Sequence, residues 1–139
     1  MTQAVTQTVT PDSIRPVANL WGALPEVSPV LAPVAILREQ GQMLAQATKG
    51  LLYADARIQA DRSGFEVAMR IVAPSLNNYT YEILRVGHGV ELYPAWVTAD
   101  AEPIECRDER AFEEAVAKVL QSDRVRRAIS GLLAQIQAN

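Results

Sequence analysis

The chain has 139 residues, 49% of them hydrophobic and 21% charged, with a formal net charge of −3. That length and apolar content suit a single domain able to bury a core without disulfides or metal, and the composition excludes a chain disordered throughout. The acidic balance disfavours a general nucleic-acid binder, whose affinity comes from Lys and Arg on phosphates, and the single cysteine, Cys106, excludes an intrachain disulfide.

Residues 1–15 are rich in Thr and Gln and carry few large apolar groups. Without helical periodicity they are expected to form a flexible polar tail. No basic stretch followed by an apolar one marks a secretory signal, and no run approaches the ~20 apolar residues that span a bilayer. A soluble, cytoplasmic protein with no membrane partner is therefore expected, and the sparse cysteine use fits a reducing compartment. Residues 16–33 hold Pro16, Pro25, Pro29 and Pro33, a density that blocks both helix and central strand. They also hold Leu20, Trp21, Leu24, Val27, Val30 and Leu31, which a disordered linker does not need. The segment is expected to lie across the domain with Trp21 as its anchor, or to dock on a partner. The chain thus divides into a tail and Pro-rich segment, 1–32, and a single domain, 33–139.

Pro33 suits the first position of a helix, where its missing N–H costs nothing. The helix is expected to reach about Leu52, with Val34, Leu37, Gly41, Leu44, Thr48 and Leu51 on one face. Gly41 on that face admits a close neighbour. The period then changes to two. Ala54, Ala56, Ile58 and Ala60 alternate with polar residues, Asp61-Arg62-Ser63-Gly64 signals a turn, and Phe65, Val67, Met69 and Ile71 alternate in a second strand. A third strand is expected from Tyr79 to about Val86, a turn at Gly87-His88-Gly89, a fourth strand from Val90 to Val97, and a short fifth over Ile104–Arg107. Pro94 places the fourth at an edge or a bulge. Asp108 is a suitable N-cap for a helix bearing Phe112, Val116, Val119 and Leu120. Ser122 restarts the pattern, with Val125, Ile129, Leu132, Leu133 and Ile136 on a second helical face. The order predicts an α+β fold: an antiparallel four- to five-stranded meander packed by one N-terminal helix and two C-terminal helices.

Strict alternation from Tyr79 puts Tyr79, Tyr81 and Ile83 on one side and Leu84 and Val86 on the other. The third and fourth strands then read as partly apolar on both faces, and something must cover the second. The cover is the chain itself, a second copy in a homodimer, or another protein, since large exposed apolar patches mark interfaces.

No motif carries recognisable chemistry. His88 is the single histidine, which excludes two-histidine metal motifs and leaves one candidate base, on what reads as an exposed turn. Cys106 has no CxxC partner, and Glu105 and Asp108 beside it oppose a thiolate; it reads as structural. The acidic residues from Glu102 to Glu114 read as a solvated face and a helix start. Arg124, Arg126 and Arg127 form the one basic cluster and oppose the dipole of the helix they open. Pairing with Asp123, Glu113 or Glu114 explains them; contact with an anion or an acidic partner is the functional alternative. No glycine-rich phosphate loop is present.

These readings lead to a non-catalytic protein–protein interaction module of the bacterial chaperone, inhibitor, immunity or assembly-subunit kind. Its expected interaction surface is Trp21, Tyr79, Tyr81, Tyr93 and Trp96, with no metal and no cofactor, and with a protein partner or a second copy. The competing expectation is a small-ligand binder or enzyme with a cleft beside the sheet, using His88 or the Arg124, Arg126 and Arg127 cluster.

Overall fold

The computed structural model describes residues 16–27 and 29–139; the expected tail over 1–15 falls outside them. Helix α1 (Pro33–Ala47) leads into five strands, β1 (Tyr53–Asp61), β2 (Gly64–Ala73), β3 (Tyr79–His88), β4 (Ala95–Thr98) and β5 (Ile104–Cys106), followed by α2 (Glu109–Leu120) and α3 (Asp123–Ala138). The strands form one antiparallel sheet in the order β1-β2-β3-β4-β5. This is the expected α+β meander, and its fifth strand is real.

Local chemistry sets the boundaries. Helix α1 stops at Ala47 rather than near Leu52. The Thr48 hydroxyl, 2.9 Å from the Leu44 carbonyl, accepts from the Leu52 N–H, and Lys49 and Gly50 take positive φ, which ends a helix. In the β1–β2 turn, Asp61 Oδ1 accepts from both the N–H and the hydroxyl of Ser63, and Gly64 takes φ +133°. Those bonds, the hydroxyl first, hold the Asp61 carboxyl below the usual carboxylate range. Both expected N-caps form: Asp108 accepts from Ala111 N–H and Ser122 from Val125 N–H. Strand β4 begins at Ala95, not Val90, and residues 89–94 form a loop that closes on a cis Tyr93–Pro94 peptide. Pro94 has no N–H to offer a ladder, so pairing with β3 starts only after it.

The core lies on one face of the sheet, under the three helices. Val67, Met69 and Ile71 of β2, Leu84 and Val86 of β3, Val97, Leu37, Phe112 and Val125 are all buried there. Helix α1 lies along the free side of β1. Arg38 Nε donates to the Ala56 carbonyl at 3.2 Å, and a Cβ at Gly41 would collide with the carbonyl oxygen of Ala54. The close neighbour that Gly41 admits is thus the backbone of β1.

A β-bulge corrects the expected division of faces. Val67 pairs with Val86 and Met69 with Leu84, but Ile71 pairs with Tyr81, so the register shifts between Met69 and Arg70 and leaves Ile83 as the extra residue. Ile83 and Leu84 are consecutive yet both join the core, and Tyr79 and Tyr81 lie on the same face as Leu84 and Val86. The other face of β3 carries Thr80, Glu82 and Arg85. It is a wet face, laced by Arg70–Asp55 at 2.9 Å and by Arg85 between Glu82 and Glu66 at 2.7 and 2.9 Å. Val72 is a buried hydrophobic residue outside the core cluster, paired with Tyr53 and Thr80 on that side. The expectation of a broad second apolar face therefore does not hold for β3. A one-residue slip moves every following side chain to the opposite face, and strict alternation cannot see it.

Candidate functional site

Helix α3 meets the sheet at its first turn. Arg124 Nη2 donates to the Ile83 carbonyl at 2.8 Å, Nη1 donates to the Tyr81 hydroxyl at 2.9 Å, and Nε lies 2.7 Å from Asp100 Oδ1. The guanidinium also sits 5.7 Å from the Tyr81 ring centroid. The clamp closes on the bulge, since Ile83 is the residue that the register shift leaves without a partner in β2. Arg124 is thus occupied inside the fold, by Tyr81, Ile83 and Asp100 rather than by Asp123, Glu113 or Glu114. The Tyr81 hydrogen bond and the nearby Asp100 raise the pKa of its guanidinium against the opposing cost of burial, the largest single influence.

One turn further along, the helix and the sheet part. An open cleft of about 540 Å³ lies between them, lined by Leu76, Tyr79, Tyr81, Arg127, Ala128, Gly131, Leu132 and Gln135. Its volume is within the range of small-ligand and peptide pockets, about 300–1,000 Å³. The small residues make the space: a Cβ at Gly131 would meet no atom within 4 Å. The floor is apolar and aromatic, from Leu76, Leu132 and the two tyrosine rings. The rim is built of donors. Arg127 forms no hydrogen bond or ion pair among the described residues, and the Tyr79 hydroxyl likewise has no partner among them. Tyr81 already accepts from Arg124, so its own O–H proton is left to donate elsewhere. No acidic side chain lines the cleft.

The fold therefore brings together Tyr79, Tyr81 and Arg127 from the expected sites and separates the others. Tyr93 lies at the opposite end of the sheet, its ring edge-on to Phe112 at 6.1 Å and its hydroxyl donating to the Leu31 carbonyl at 2.9 Å. Trp96 pairs with Gly87 and Glu105 on the wet face. Arg126 Nε donates to the Gln121 carbonyl at 3.1 Å. Trp21 is 79% exposed, so the domain covers little of its surface. The residues that open the cleft, Ala128 and Gly131, were not singled out from the sequence. Two small residues three apart on the side of α3 that also bears Arg127 and Gln135 are the signal that could have found them.

The remaining chemistry is dispersed. His88 is not on an exposed turn: it ends β3, is 7% exposed, and stacks on Phe65 at 5.4 Å. Its Nδ1 is 2.8 Å from the Gly89 carbonyl, which can only accept, so Nδ1 is the donor there, and Nε2 is buried with no partner among the described residues. Among the described residues, neither a carboxylate nor the arginine cluster bonds to it. Cys106 is buried, and burial followed by the charges of Asp108 and Glu105 pushes its thiol up. Among the described residues no three His, Cys, Asp or Glu side chains are placed to hold a metal ion, and no helix is long and apolar enough to cross a membrane. Comparison with protein families, curated proteins and solved structures returns no match for the chain.

Proposed function

We propose that the protein is a non-catalytic interaction module that docks an apolar protein segment carrying a carboxylate in the cleft between α3 and the Tyr79–Tyr81 end of β3. The observation that carries this reading is the Arg127 guanidinium, without a partner among the described residues, on the rim of an aromatic and aliphatic floor. Once an occupant covers it, Arg with two phenol donors favours a planar carboxylate. Leu76, Leu132 and the tyrosine rings supply the apolar contact that gives affinity. The tyrosines and Arg127 are also the residue types over-represented at interaction hot spots.

A random-peptide library displayed on phage and selected on the purified full chain tests this. Enriched peptides are expected to pair a large apolar residue with a nearby Asp or Glu. Their binding should fall at least tenfold in Arg127→Ala and disappear in Gly131→Leu, which fills the cleft. No enrichment on a chain that sediments as a monomer, or enrichment indifferent to both substitutions, would refute the module.

A further inference from the structure

Apart from Val90, the most exposed large apolar side chains among the described residues lie in the segment before α1. Val17, Leu20, Trp21, Leu24 and Val27 are each at least 65% exposed, and Val27 reaches 96%. Residues 16–27 carry one charged side chain, Glu26. The segment is thus an apolar, tryptophan-bearing peptide with a single carboxylate. The cleft beside α3 is an apolar, aromatic pocket whose rim holds Arg127 and no acid. Each supplies what the other lacks.

The segment is held far from its own cleft. The Leu31 N–H donates to Glu109 Oε1 at 3.0 Å and its carbonyl accepts from Tyr93. Those contacts lie at the end of the sheet where His88 pairs with Ala95, while the cleft lies at the Tyr79 end. Along β3 the two ends are about 25–30 Å apart, at ~3.3 Å per residue. Residues 21–31 span at most ~33–36 Å when fully stretched, and here the chain turns at Gly22, with φ +66°. Trp21 would have to pass around the helices on an almost taut chain to reach its own cleft. A second copy presents the same cleft with no such limit.

We infer that this cleft receives the Val17–Val27 segment of a second copy of the chain, in a reciprocal two-fold exchange that sets Glu26 of each copy against Arg127 of the other. The inference rests on the reading of the cleft as a segment-docking site and names its occupant. Reciprocity places the same surface on both copies, as an isologous dimer requires. Segment and cleft together approach the size that a stable interface uses on each side, about 20–30 residues.

Sedimentation equilibrium of the full chain tests the exchange. A dimer is expected, with its dissociation constant raised at least ~30-fold by Trp21→Ala, the loss typical of a buried aromatic anchor, and as much by Gly131→Leu. Circular dichroism melting confirms that both variants stay folded. Arg127→Glu and Glu26→Arg should each weaken the dimer, and the doubly reversed chain should regain most of the loss, which a merely structural change would not do. Mixing Trp21→Ala chains with Gly131→Leu chains should give a heterodimer that neither forms alone. A monomeric chain overturns the inference, as does a dimer indifferent to Trp21 and Gly131. In a Trp96→Phe background, a monomer whose Trp21 emission shifts on Gly131→Leu also overturns it, because the segment then occupies its own cleft. If library peptides still bind the cleft of a monomer, the docking reading stands and only its occupant is wrong.

Discussion

The two ends of the inner sheet face are built from the same kind of strand and finished differently. At the end where β3 meets β4, Val86 and Val97 lie beneath Phe112 of α2, and all three are essentially inaccessible. At the other end, Tyr79 and Tyr81 lie beneath α3, which presents Ala128 and Gly131 and leaves an opening of about 540 Å³. One helix seals its strands with an aromatic ring, and the other stands off behind small residues. The difference places close packing at one end of the sheet and leaves an open cleft at the other. Arg124 marks the boundary: it ties α3 down at the first turn, and Arg127, three residues later, is left to face the opening.

Breaking the sealed end should have the largest effect. Phe112→Ala removes a fully buried ring, and a loss of about 3–5 kcal/mol is expected, read as a lowered urea midpoint; a loss under ~1 kcal/mol would mean that this end is not the core. The boundary comes next. Arg124→Ala removes charged hydrogen bonds to Tyr81 and Ile83 and the pairing with Asp100. A cost of about 2–3 kcal/mol is expected, with hydrogen exchange rising through α3 but not α2. Lys at this position lacks the fork and should restore little of it.

The two helical glycines sharpen the contrast, because the same substitution should act in opposite directions. Gly41→Ala pushes a methyl group into the Ala54 carbonyl and should destabilise by ~1–3 kcal/mol through overpacking. Gly131→Ala meets open space in a helix interior and should stabilise by about 0.5–1 kcal/mol. Thermal unfolding of the pair reads both, and equal signs would contradict the open end.

A further effect concerns pH. Burial, then the charges of Glu109 and Glu113, push the Tyr93 hydroxyl up to about 12. The unfolded chain ionises near the ordinary value of 10, so the neutral phenol's contribution is fully present below pH 10 and is lost as pH rises toward 12. Stability should therefore fall over that window, and Tyr93→Phe should flatten the slope.

The element order was legible because several boundaries have a local signal: Asp61 to Gly64 for the hairpin, Asp108 and Ser122 for the last two helices. What escaped depends on residues far apart in the chain. Nothing near Ile83 announces a bulge, since the shift exists only in its pairing with Met69 and Arg70, and without the bulge the faces of β3 come out wrong. Arg124 finds its partners 41 and 43 residues away, beyond the reach of any helix-spacing rule. The cleft is a gap between α3 and a strand, and a gap has no residue of its own to read. Tyr79, Tyr81 and Arg127 were identifiable as candidates, but only the fold unites them.

The packing of α1 along β1 also bears on how the chain survives its own synthesis. A nine-residue outer strand is a template on which other chains can add strands. Here Arg38 and the bare backbone at Gly41 occupy the carbonyls of Ala56 and Ala54. Because α1 precedes β1, the ribosome delivers the shield before the template, as N-terminal elements emerge first. Gly41→Ala lifts that shield, so it should increase light scattering and thioflavin binding during refolding, whereas Phe112→Ala should do so only in proportion to its unfolding.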